Sequence, residues 1–97
     1  MNLTIEDFKP LVGEAFDITR PDTEETYTQL ILKSVTPVGE SHAGRAEPFS
    51  LMFEGPISHR IEQGTFLVRQ AALGDQHIFI VPVGEASEVR HYQSIFN

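Results

Sequence analysis

The stretch PFSLMFEGP, residues 48–56, decides the fold. Phe49, Leu51 and Phe53 fall on one side of an extended chain while Ser50, Met52 and Glu54 fall on the other. That two-residue alternation is the mark of a strand with one buried face. Pro48 can open a strand without losing a needed ladder bond, and Gly55-Pro56 is a natural stop. Each of the three inward side chains contributes about 1.5–3 kcal/mol when fully buried. The segment therefore predicts a strand at the centre of a core.

Upstream, Thr4 and Asp7 have the spacing of a capping box ahead of Ile5, Phe8, Leu11 and Val12 at helical intervals. Pro10 limits this helix and Gly13 stops it, leaving about two turns. The period then changes to two. Phe16 and Ile18 alternate with Asp17 and Thr19, residues 20–25 read as a polar turn, and Thr26 to Thr36 is rich in β-branched and aromatic residues. Within it the consecutive Leu30, Ile31 and Leu32 suit a strand covered on both faces or one carrying a bulge. PVGESHAGRAE, residues 37–47, has no apolar period and reads as a long loop.

Downstream, residues 57–63 form a polar connection, and a strand runs from Gly64 to Gln70. Residues 71–75 make a tight reversal in which Gly74 supplies a positive φ. His77 to Val83 is the most apolar strand, with Pro82 interrupting its ladder, residues 84–88 turn the chain, and Arg90 to Phe96 closes the series. The fold class expected is mainly β: one short N-terminal helix followed by about six antiparallel strands in a small barrel or sandwich.

At 97 residues the chain is read as one domain. Fourteen acidic residues against seven basic ones give a net charge of −7. The basic residues are scattered singly, so no face is expected to attract a phosphate backbone, and nucleic acid is not an expected partner. With no cysteine there is no disulfide framework or thiolate metal site. The longest apolar run is far short of the roughly 20 residues of a membrane helix. The acidic N-terminal stretch does not resemble a signal peptide. A soluble, cytoplasmic protein with no membrane partner is the expectation.

The candidate chemistry is sparse. His59 and Glu62 have an H-x-x-E spacing, but the surrounding residues are those of a loop, and no metal site or cofactor is expected. Ser41-His42 and Ser58-His59 are adjacent pairs without the converging base and oxyanion hole that nucleophilic catalysis needs. Asp17, Asp22, Glu24 and Glu25 gather at one turn without the spacing of a calcium loop. His77 and His91 are the acid–base candidates of a small enzyme using a barrel mouth. In the long loop, His42 and Arg45 are the candidate contacts to an anionic partner.

Four segments taken together resemble a family of small bacterial proteins known only as a domain of unknown function. They are LTIEDFKPLVGEAFDI, PFSLMFEGP, QGTFLVRQAALGDQHIFIVPVG and the terminal YQSIFN, so the resemblance runs nearly end to end. Where such proteins tend to carry a His-Pro dipeptide before ALG, this chain has Gln70-Ala71, and the turn geometry of that proline is not implied here. The resemblance implies no catalytic residues. It implies an interaction or assembly module, associated with phage-tail-like proteins, whose partner is another protein or a second copy. A loop or an exposed strand edge would make the contact.

Overall fold

The computed structural model describes residues 3–20, 22–23, 25–39 and 48–96. A short helix α1 (Ile5–Phe8) continues as a 3-10 turn (Lys9–Leu11). Six strands follow: β1 (Ala15–Thr19), β2 (Thr26–Pro37), β3 (Phe49–Pro56), β4 (Gly64–Gln70), β5 (Gly74–Ala86) and β6 (Val89–Phe96). They close into an antiparallel barrel in the order β1-β2-β3-β6-β5-β4. Of the two architectures left open by the alternation, the barrel is the one formed. Closure also removes most of the free strand edge on which another strand can add. Among the described residues, no helix is long and apolar enough to cross a membrane.

The interior follows from the period-two pattern. Phe16 and Ile18, Leu30 and Leu32, Phe49, Leu51 and Phe53, Val68, Ile78 and Ile80, and Tyr92 are all buried, each set on one face of its strand. The helix closes one end of the barrel. Asp7 accepts a hydrogen bond from the Thr4 N–H at 2.8 Å, which holds the first turn. Pro10 then tightens the chain into the 3-10 turn, and Gly13, at φ +93°, lets its N–H reach the Leu32 carbonyl at 2.7 Å. Phe8 is thereby driven between Phe16, Phe49 and Phe96, at centroid distances of 6.3, 5.6 and 5.4 Å. It acts as a plug.

Two local expectations change, and one glycine gains a second role. β3 ends with Gly55-Pro56, but Gly55 has a second role: it is buried, and a Cβ there would collide with Leu30 Cδ2. The glycine is thus also required by close approach within the last residues of the strand. β5 continues through the expected turn at residues 84–88 as far as Ala86, with a register shift between Pro82 and Gly84. The bulge absorbs the proline, and the turn narrows to Ser87 and Glu88, with Ser87 at φ +56°. Thr19, which simple alternation would turn outward, is buried because β1 slips register against β2 between Ile18 and Thr19. The Leu30-Ile31-Leu32 run likewise has its bulge just beyond it, between Leu32 and Ser34.

A pocket at the open end of the barrel

β1 and β4 join by only two residue pairs, Asp17 with Arg69 and Ile18 with Val68. At the bulge β1 leaves its neighbour. In place of the next ladder bond, Thr19 Oγ1 donates to the Leu67 carbonyl at 2.9 Å. Beyond this bond the two strands splay, at the end of the barrel opposite α1, and a pocket of about 330 Å³ lies in the opening. That volume is at the small end of the range for ligand pockets, roughly 300–1,000 Å³.

The pocket floor is apolar, formed by Ile18, Ile61 and Phe66, and its rim carries Arg20, Tyr27, Glu62 and Gln63. The Arg20 guanidinium stands 4.8 Å above the Tyr27 ring, and His59 meets the same ring edge-on at 5.6 Å. Tyr27 is thus held between two side chains rather than left to swing.

Residues 60–63 form the lip, and β6 clamps it. The Ile61 N–H donates to the Tyr92 hydroxyl at 3.1 Å, and the Ile61 carbonyl accepts from Arg90 Nη1 at 3.2 Å. One strand therefore satisfies both backbone groups of the single buried lip residue. Arg60 makes a two-point contact with Glu85, Nε to Oε2 at 2.6 Å and Nη2 to Oε1 at 3.1 Å. This hydrogen bonding holds the Glu85 carboxyl below its ordinary range and raises the Arg60 guanidinium. Arg90 lies 3.5 Å from Glu85 and 3.4 Å from Glu62, completing a chain of alternating charges along the lip.

The residues singled out in the sequence do not converge. His42 and Arg45 lie outside the described residues. Val38 and Pro48 lie at the helix-plugged end, where the Val38 N–H donates to the Pro48 carbonyl at 2.9 Å. His91 stands opposite Gly84, about 20 Å along β5 from His77, so the proposed acid–base pair is not assembled. His91 instead contacts Glu54 on the outer face, at 3.3 Å. His59 and Glu62 part company, one against Tyr27 and the other against Arg90. Asp17 accepts a hydrogen bond from Gln29 Nε2 at 2.7 Å. Among the described residues, no group of three or more histidine and acidic side chains is placed to hold a metal ion. Ser58 Oγ and His59 Nδ1 are 3.0 Å apart, a contact between chain neighbours on an exposed turn.

The pocket residues were hidden in the sequence. Arg20 reads as part of a polar turn, Tyr27 as one strand residue among many, and Ile61 as an incidental apolar residue in a polar connection. The isolated Ile61 among His59, Arg60, Glu62 and Gln63 is the one signal, since a lone large apolar side chain in a polar segment has to be covered by something.

Residues 3–96 match the model of the family described as Domain of unknown function (DUF6916). The chain belongs to this family. The match covers the helical plug, all six strands and the lip of the pocket, so every element of the DUF6916 site described above lies within it. No curated protein and no solved structure matches the DUF6916 chain.

Proposed function

We propose that this chain is a non-enzymatic interaction or assembly module whose recognition site is the pocket at the β1–β4 opening, working in a phage-tail-like system. The pocket itself carries the reading. An apolar floor, a tyrosine wall steadied by two flanking side chains, and a hydrogen-bonded lip are the features of a preformed socket for one side chain of a partner. Aromatic and arginine residues at its rim are those most enriched where protein contacts concentrate their energy.

The test is affinity capture with the tagged protein from its source cells, run beside Tyr27→Ala and Phe66→Ser. The partner recovered is then titrated calorimetrically. The reading expects a specific partner whose affinity falls at least about tenfold in both variants, a loss of roughly 1.4 kcal/mol. A tail component among the recovered proteins supports the biological setting. Equal binding by wild type and variants removes the pocket from the account. A strict monomer that retains nothing removes the module reading.

The Ser58–His59 contact beside Tyr27 favours a second reading, a small ligand-binding or hydrolytic site at the same end. It ranks lower because both side chains are exposed and the pair joins sequence neighbours. Turnover of an activated ester that disappears in Ser58→Ala would place it first.

A further inference from the structure

We infer that the open β1–β4 end takes an extended peptide of a partner protein, added beside β4 as a short strand, with a large apolar side chain in the pocket and a neighbouring carboxylate on Arg20. This rests on the reading of the pocket as a protein-recognition site.

The backbone of β4 supplies the first argument. In an antiparallel strand the N–H and C=O of alternate residues face the same neighbour. The Leu67 carbonyl faces β1, where it accepts the Thr19 hydroxyl. Thr65, two residues away, therefore turns its own N–H and C=O to that side. But β1 ends at Thr19, and its last pair with β4 is Ile18 with Val68. Among the described residues, no strand stands opposite Thr65, which is exposed. On its other flank β4 is fully paired, Thr65 with Phe79 and Phe66 with Ile78. Among the described residues, the closed barrel thus keeps one short stretch of usable edge.

That edge and the pocket are in register with each other. Phe66 lines the pocket, so a peptide residue opposite Phe66 directs its side chain into the same space. The adjacent peptide residue, opposite Thr65, exchanges both backbone hydrogen bonds. Main-chain bonding with one anchored side chain is the mode of strand addition.

Charge selects the sequence of the occupant. Arg60 and Arg90 are balanced by Glu85 and Glu62. Arg20 is held over the Tyr27 ring and makes no ion pair among the described residues. On a chain of net charge −7, this rim cation attracts a carboxylate next to the anchor and disfavours a basic residue there.

The test uses a displayed library of random linear peptides selected on the whole protein. Support consists of enriched peptides pairing a large apolar residue with an acidic one at fixed spacing. Arg20→Glu should invert the acidic preference to a basic one. Thr65→Pro should weaken the selected peptide about tenfold or more, from loss of backbone bonding. Because Thr65→Pro can disturb folding, a second arm N-methylates the synthetic peptide at successive positions. Affinity should fall at alternate positions only. Peptides that need Tyr27 and Phe66 but tolerate N-methylation throughout overturn the added strand and leave the pocket reading standing. Failure to enrich any peptide, with pocket variants also silent in capture, overturns both. Self-association that survives Arg20→Glu but is lost in Phe79→Ser puts the contact on the outer face between copies, and likewise overturns the inference.

Discussion

The hydroxyl of Tyr92 accepts the backbone N–H of Ile61 across 31 residues of sequence, inside a ring that is itself fully buried. The contact ties the lip of the pocket to the core of the barrel. Tyr92→Phe keeps the ring and strands a buried donor, so it should lower stability by about 1–3 kcal/mol. Denaturant unfolding measures the loss, and hydrogen exchange should show faster exchange at residues 60–63 than in the rest of the barrel. A variant as stable as wild type, with the lip unchanged, would mean that the bond holds nothing.

Gly55→Ala tests the close approach of β3 to β2. The added methyl meets Leu30 Cδ2, and Leu30 is fully buried, so little room exists to yield. Overpacking of this kind costs about 1–3 kcal/mol. Combining it with Leu30→Ala should give a double variant more stable than the two single losses added together, measured as a coupling in a double-mutant cycle.

Phe8→Ala removes the plug. The ring is fully buried against three other phenylalanines, and its loss should destabilise the protein by about 3–5 kcal/mol. Thermal unfolding should register this without any change at Tyr27, which lies at the far end and whose ring resonances report on the pocket.

The Arg60–Glu85 contact has a defined pH signature. Arg60 lowers the folded-state value of Glu85 below its ordinary 4.5. A depressed carboxyl stabilises the fold above its unfolded value and loses that contribution as pH falls through the folded one. The gap in melting temperature between wild type and Glu85→Gln should therefore be constant from pH 7 to about 4.5 and close below it. Added salt should narrow it as well, because both groups are solvent-exposed. A gap that widens in acid would contradict the assignment.

Much of the barrel was legible in the chain. Phe49, Leu51 and Phe53 announced their strand by period alone, and Thr4 and Asp7 announced the helix, because both patterns are local. Gly55-Pro56 marks the strand end locally, while the glycine's second cause, a side chain on another strand, leaves no trace nearby. Thr19 was misread for a similar reason: one slipped residue reverses which side faces in, and period counting has no knowledge of bulges. The pocket depends on that slip together with the clamp from Arg90 and Tyr92 on Ile61. Its parts come from four separate segments, each of which alone looks like ordinary turn or core.

The brevity of the β1–β4 junction bears on how the molecule assembles. Thr19 and Leu67 are 48 residues apart, whereas the β4–β5 and β5–β6 partners are joined by tight turns. Hairpins form in microseconds, while a distant pairing must first overcome the entropy of gathering the intervening chain. The ring should therefore be completed last, by the weakest of its six junctions, and come apart there first. Thr19→Val, which deletes the hydroxyl at that junction, should then accelerate unfolding while leaving the refolding rate nearly untouched.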